Sequence, residues 1–329
     1  MLKSPRVVCF VKYYTILPSL ISNYMMTNNN VTIPKAVNWH CEAFCNYRCE
    51  FCYAGFESQR QQPKLSLEDG ISIIQHLAIA GVEKINFVGG EPMLHPHLDE
   101  WIKQSKSCGM ITSIVSNGTK MTEEWLIEMQ PYLDWLGLSV DASNDQIHAI
   151  MGRANAGEYK NGTSGHLSRA LEISAIANRL GYGIKLNTVV TSANAMDNMT
   201  EIVEQINPTR WKIFQVLKIN GENDGRVEAL LVSDNLFESY ISRHQSSLQN
   251  SPVDVVPENN DAMLGTYAMI DALGRVYTNK DGFYLYSDSK IQESGFITCW
   301  SQVCSGFSQE AFDARGGEWD WEASMGVAL

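Results

Sequence analysis

Three cysteines, Cys45, Cys49 and Cys52, lie within the ten-residue run FCNYRCEFCY (44–53), in the spacing C-x3-C-x2-C. A fourth, Cys41, lies one C-x3-C step upstream. Thiolates at this density bind metal or do redox chemistry. A structural zinc site wants four ligands and commonly takes them from two separated C-x2-C pairs. No second pair exists here, and Cys299 and Cys304 are far away and differently spaced. A bacterial ferredoxin run, C-x2-C-x2-C, does not fit either. Three thiolates on one short loop can hold three irons of a [4Fe–4S] cluster and leave the fourth iron open to another ligand. Cys41 then belongs to the preceding strand and stands aside.

A second set of chemical groups emerges from side-chain alternation. Side chains of a strand point to opposite faces with period two. In KINFVG (84–89), Lys84, Asn86 and Val88 oppose Ile85 and Phe87. Ser139 and Asp141 oppose Leu138 and Val140, Lys185 and Asn187 oppose Ile184 and Leu186, and Arg210 and Lys212 oppose Trp211 and Ile213. The apolar rows suit a helix-covered face. The other rows put Lys84, Lys185, Arg210 and Lys212 on one face from three strands. Buried cations are costly unless paired. This face therefore reads as an anion site, against the alternative of strand-end charges that reach out to solvent.

The elements that must hold these groups alternate regularly. Strand-like segments at 36–41, 84–89, 111–116, 135–141, 183–190 and 210–217 are separated by helical patterns. In the first helix Ser66 is the expected cap, Asp69 its capping-box partner and Gly81 the stop. Thr122 precedes a second helix, and LSRALEISAIANRLG, ending at Gly181, is another. Six β-α steps predict an α/β fold with a parallel sheet, open or curved into a partial barrel, and helices outside. A closed barrel would instead fill its interior with Val, Ile and Leu.

Composition narrows the class. The chain has 329 residues, 25 Lys+Arg against 37 Asp+Glu, and a formal net charge of -12, which disfavours binding of long nucleic acid. Eight cysteines, half of them clustered, are too few for a disulfide scaffold and point to a reducing, cytoplasmic setting. VVCFVKYYTILPSLI near the start is broken by Lys12 and Pro18, too short to span a membrane and without a clear signal-peptide cleavage site. Residues 1–34 read as a poorly ordered extension, with Met25 or Met26 as an alternative start.

The C-x3-C-x2-C loop after the first strand, with Phe51 before its last cysteine, and GGEP (89–92) after the second strand together resemble the radical S-adenosylmethionine (SAM) superfamily. That resemblance implies a partial (β/α)6 barrel over 35–220, a [4Fe–4S] cluster on Cys45, Cys49 and Cys52, and SAM chelated to its open iron. CNYRCEFC, EKINFVGGEP, SIVSNG, MGR, IKLN, NPTRWKIFQ and INGEN resemble, in order, segments of the viperins. So do VPENN, with Tyr267 and Asp271 after it, and RGG at 315–317. The likeness runs from about Asn38 to Gly317.

Viperins are nucleotide dehydratases that make a 3′-deoxy-3′,4′-didehydro ribonucleoside triphosphate, a terminator of viral RNA synthesis. The chain is closer to prokaryotic members, since it carries no long amphipathic membrane helix. The resemblance implies SAM contacts at Gly89, Gly90, Glu91, Ser116, Asn117 and Ser139. It implies triphosphate contacts at Asn38, Lys84, Arg153, Lys185, Arg210 and Lys212, with Asn187 and Tyr267 close to the nucleotide. Tyr267 holds the position expected to deliver the last electron and proton, against the alternative that it only packs on the sugar. The segment 221–329 is expected to be an α+β extension that closes the nucleotide site.

Two departures bear on the substrate. Val88 replaces a serine of animal viperins near the phosphates. TNKDGFYLYSDSK (278–290) departs from their basic loop, with Lys280 standing in for a lysine there, so CTP, UTP and GTP all stay open. The implied partners are the triphosphate and an electron donor such as flavodoxin or ferredoxin, with no membrane and a monomeric chain.

Trp319 and Trp321 read as packing aromatics, His76 as an ordinary helix histidine, and Cys9, Cys108, Cys299 and Cys304 as small buried residues. Two other classes share part of the pattern. A peptide-modifying or activating radical SAM enzyme would need no triphosphate cations. An Fe–S electron carrier would need no GGEP segment.

Overall fold

The computed structural model describes residues 31–319 and 321; most of the N-terminal extension, with Cys9, lies outside them. One ten-stranded sheet organises the chain, in the order β10-β9-β8-β1-β2-β3-β4-β5-β6-β7. The six expected strands are β1 (Ala36–Glu42), β2 (Lys84–Gly89), β3 (Ile111–Ser116), β4 (Trp135–Ser139), β5 (Gly183–Val190) and β6 (Arg210–Gln215), all paired in parallel in sequence order. The sheet is not closed, as a partial barrel requires.

The crossover helices begin and end where local chemistry dictates. Helix α1 (Leu67–Ala80) starts at Ser66, whose hydroxyl accepts from Asp69 N while the Asp69 carboxylate accepts from Ser66 N. It stops at Gly81, in the left-handed region at φ 89°, where glycine has no Cβ to clash. Thr122 caps α2 (Glu123–Met129), and α3 (His166–Arg179) carries the third expected helix. Their apolar faces close over the outer side of the sheet, where Trp39, Ile85, Phe87, Ile114, Leu136, Leu138, Ile184, Leu186, Trp211 and Ile213 form one core cluster.

The segment after residue 220 extends both edges of the same sheet. β7 (Asp254–Glu258) adds in parallel beside β6. The chain then crosses to the far edge, where β8 (Met269–Ile270) pairs in parallel with β1 and leads into the antiparallel β9 (Arg275–Thr278) and β10 (Leu285–Lys290). Residues 31–34, read from sequence as part of a loose extension, are docked: Val31 and Ile33 pack against the core, and Trp300 Nε1 donates to Thr32 O at 2.9 Å. No helix among the described residues is long and apolar enough to cross a membrane.

Candidate active site

Parallel pairing puts the polar rows in register. Lys185 stands between Gly137 and Arg210, and one step further along Asn187 stands between Ser139 and Lys212. These rows floor a cavity of about 310 Å³ on the face opposite the helices. Every site residue expected from the sequence lines it, including the three cysteines, GGE at 89–91, and Tyr267 from beyond the barrel strands.

The cysteine loop sits at one end. Cys45, Cys49 and Cys52 are unpaired and half-buried, whereas Cys41 is buried on β1 with its Sγ 3.5 Å from Val88 O, on the opposite face. The loop is stitched to neighbouring strands. Gly90 N donates to Glu42 O at 2.6 Å and Glu91 N to Phe44 O at 2.9 Å. A Cβ on Gly90 would lie 2.4 Å from Phe44 O, so the GGE turn can approach the loop only as glycine. Asn117 Nδ2 donates to Asn46 Oδ1 at 2.8 Å, tying the end of β3 to the same loop.

Glu91 is almost wholly buried. It accepts from Ser116 Oγ at 2.7 Å, Asn117 N at 2.8 Å and Met93 N at 3.1 Å. Burial pushes its carboxyl up to about 7 against the pull of those donors. It makes no ion pair with any described residue.

The cations occupy the other end. Lys84, Lys185 and Arg210 are all buried, and Lys212 has a side chain 17% exposed. Lys185 Nζ has a single hydrogen bond, to Ser113 Oγ at 2.8 Å. Burial and then the neighbouring Lys212 and Arg210 push it down to about 7. Lys212 is pushed down to about 8, mainly by burial and despite the ion pair with Glu258. Lys84 is driven well below its usual value by burial and by Lys185, Lys212 and Arg210.

One carboxylate organises the wall between the two ends. Glu258, on β7 and fully buried, pairs with Lys212, accepts from Arg315 Nη1 at 3.0 Å and takes the phenolic hydrogen bond of Tyr267. Arg315 lies 4.0 Å over the Tyr267 ring, and Lys212 Nζ is 3.3 Å from the Tyr267 hydroxyl.

Sequence comparison gives the setting. Residues 43–231 match the model of the Radical SAM superfamily. A protein of Flammeovirga pacifica named S-adenosylmethionine-dependent nucleotide dehydratase is 37% identical over 91% of this chain and 100% of its own length. The chain belongs to the viperin-like nucleotide dehydratases of the radical SAM superfamily. A fish relative from Siniperca chuatsi, S-adenosylmethionine-dependent nucleotide dehydratase RSAD2, is 33% identical over 89% of this chain and 80% of its own. Among solved structures, Streptococcus suis SuiB bound to S-adenosylmethionine superposes with a TM-score of 0.66 at 13% identity, over 89% of this chain and 70% of that one, a likeness of fold.

Members of this superfamily use a [4Fe–4S] cluster and SAM, and the residues present fit both. Burial pushes all three loop thiols up, Cys45 to about 12, so they need a metal centre to hold them as thiolates. Among the described residues no three Cys, His, Asp or Glu side chains gather as the ligands of one metal ion. Glu91, a buried carboxylate lacking a cation, suits the ammonium of a methionyl group.

Some residues fall differently from expectation. Arg153, expected with the phosphate cations, lies beside the cysteine loop. Its guanidinium sits 5.4 Å over the Phe51 ring and its charge is taken by Asp141, a fully buried carboxylate that also accepts from Val189 N at 2.8 Å. Asn38 is engaged by a neighbour, accepting from Asn86 Nδ2 at 3.0 Å. Trp319 and Trp321 line the cavity over the cations rather than serving only as packing. Cys299 is buried as expected, but Cys108 and Cys304 are only partly so. Glu258 and Arg315 lie within VPENN and RGG, segments whose sequence alone gives neither residue a role. A buried acid adjoining a strand of cations was the signal available, and it required knowing that β7 pairs with β6.

Proposed function

We propose that the chain dehydrates a ribonucleoside triphosphate to its 3′-deoxy-3′,4′-didehydro analogue, a product suited to antiviral defence in the cytoplasm. The observation that supports this most is the shared cavity: three loop thiols at one end, and at the other a group of buried cations of which Lys84 and Lys185 have no anionic partner among the described residues. When bound and reduced, the cluster and SAM supply a 5′-deoxyadenosyl radical able to take a ribose hydrogen. An electron donor such as flavodoxin or ferredoxin fits the need for a reductant, and a monomer is the expected state.

Within this reading Cys45, Cys49 and Cys52 hold the cluster, and Gly89, Gly90, Glu91, Ser116, Asn117 and Ser139 seat SAM. Lys84, Lys185, Arg210 and Lys212 hold the phosphates through charge-assisted bonds. Asn187, in register with Lys212 and two residues beyond Lys185 on the same face, is the residue we assign to the ribose. Arg153 and Asp141 act on the cluster side rather than on phosphate. The base is cytosine, uracil or guanine.

Anaerobic incubation of the reduced, cluster-loaded protein with SAM and a mixture of the four nucleoside triphosphates tests the reading. One didehydro triphosphate should form together with 5′-deoxyadenosine. SAM cleavage with all four triphosphates unconsumed would overturn it.

Removal of the 4′-hydrogen followed by loss of the 3′-hydroxyl as water leaves one electron and one proton to be delivered. Of the redox-capable side chains that line the cavity, which include Tyr47 and Tyr53, Tyr267 is the one whose phenol meets Glu258 and Lys212 beside the cations. Glu258 is the base available to the phenolic proton. Tyr267→Phe keeps the ring and deletes the phenol. SAM cleavage should then persist with triphosphate bound, while dehydrated product per 5′-deoxyadenosine drops about a hundredfold, the lower end for loss of a positioned proton donor. A wild-type ratio would show that another group completes the reaction.

A further inference from the structure

Lys84 differs from the other cations of the cavity in what faces it. Its side chain is 6% exposed, yet it has neither a hydrogen bond nor an ion pair with any described residue. Two indoles stand there instead. Lys84 Nζ is 5.1 Å from the Trp319 ring centroid and 4.7 Å from that of Trp321. Trp319 also takes the Arg210 guanidinium, at 4.7 Å. The electron-rich face of an indole partly compensates a buried cation, but less well than an anion does.

Among the described residues, the segment that carries these rings is held by a few contacts. Gly316 O accepts from Arg210 Nη2 at 2.9 Å, and Trp135 Nε1 donates to Trp321 O at 3.3 Å. Trp135 meets Trp319 edge-on at 4.8 Å. On the outside, Glu318 pairs with Lys35 where both are exposed, a contact of little strength. The segment leaves the preceding helix through Gly316 and Gly317, with Gly316 at φ 70°, a glycine pair that can serve as a hinge. Two of its fastenings, the Trp319 ring and the Gly316 carbonyl, bear on Arg210, whose one carboxylate partner among the described residues is the largely exposed Asp254 at 3.4 Å, so an arriving anion can still claim it.

We propose that Trp319 and Trp321 form a latch over the anion end of the cavity. In the free protein their ring faces occupy Lys84 and Arg210, and a bound polyphosphate displaces them by taking the same two cations. The inference rests on the anion site described above and adds a competitor to it. The indoles keep two like-charged groups covered while the cavity is empty, and their release couples phosphate binding to opening of the C-terminal segment.

Inorganic tripolyphosphate, added to the full chain and followed by calorimetry and by acrylamide quenching of tryptophan fluorescence, tests this. In the wild-type protein quenching should rise on binding as the two indoles leave the cavity. The double variant Trp319→Leu with Trp321→Leu keeps apolar bulk and removes the ring faces. It should bind tripolyphosphate roughly 3- to 30-fold more tightly, the range set by one to two lost cation–π contacts, and lose the rise in quenching. Unchanged or weaker binding by the variant would overturn the latch and leave the anion site standing. So would wild-type binding without a rise in quenching, a measurement that does not depend on the variant's folding. No binding to either protein would overturn the anion site itself, and the latch with it.

Discussion

Alanine at Cys49 is expected to abolish iron loading and reduce turnover to background, whereas Cys41→Ala should keep both. The two thiols are eight residues apart but lie on opposite sides of the sheet. Cys49 lines the cavity with Cys45 and Cys52, and burial raises its thiol so strongly that a cation must accompany its ionised form. Three thiolates are the minimum that leaves one iron open and three held, so losing one leaves two irons without a protein ligand. Cys41 is packed among the residues of the outer core with its Sγ against Val88 O. Its replacement by alanine costs a small cavity, roughly 1 kcal/mol, and no ligand. Iron and sulfide content of the reconstituted proteins, together with SAM cleavage, checks the pair. Full iron content in Cys49→Ala would refute the assignment, as would iron loss in Cys41→Ala.

Lys185→Met should move stability and substrate binding in opposite directions. Lys185 is buried with one neutral hydrogen-bond partner and two cations near it, and its ammonium is pushed down to about 7. A charge-assisted contact to phosphate contributes about 1.5–3 kcal/mol. Loss of that contact predicts roughly 10- to 150-fold weaker triphosphate binding, with nucleoside binding little changed. Replacing a buried charge by an apolar side chain of similar length is neutral to stabilising. The Ser113 hydroxyl loses its partner, so a net gain of about 1 kcal/mol, a few degrees in Tm, is expected.

The pH dependence follows from the sign of the shift. The unfolded chain holds the lysine proton up to about 10.5, whereas the folded chain releases it from about 7. Between those values the unfolded state binds more protons, so wild-type stability rises with pH across that window. The advantage of Lys185→Met should therefore be largest near pH 7 and fade toward pH 10. On the proposed reading triphosphate binds the charged forms of Lys185 and Lys212, so affinity should fall as pH rises through 7 to 8, and binding at pH 8 should take up protons. Thermal melts and calorimetry in buffers of different ionisation enthalpy measure both. Lower stability of Lys185→Met at pH 7 would show that the lysine is a structural tie rather than a waiting cation.

Much of this site was legible because it depends on local rules. Period-two alternation fixed which residues of β2, β4, β5 and β6 share a face, and the cost of burying Lys84, Lys185, Arg210 and Lys212 together marked that face as a candidate anion site, although the fold supplies Glu258 to Lys212 and Asp254 to Arg210. Ser66, Asp69 and Gly81 set the limits of α1 through contacts within a few residues. Cys45, Cys49 and Cys52 stood out as candidate ligands by their spacing together with the GGEP segment after the second strand.

The remainder depended on pairings between distant segments. Nothing local in a two-residue strand such as β8 directs it to pair with β1, more than 200 residues earlier; it has too few side chains to show a period. Glu258 became the partner of Lys212, Arg315 and Tyr267 only because β7 adds beside β6. Arg153 followed Asp141 to the cysteine loop because a fully buried carboxylate needs a cation close by. Trp319 and Trp321 came to lie over Lys84 and Arg210 because Lys84 has no anionic partner among the described residues and Arg210 pairs only with the Asp254 carboxylate, 3.4 Å away, so both accept the nearest electron-rich surface that tertiary packing brings to them.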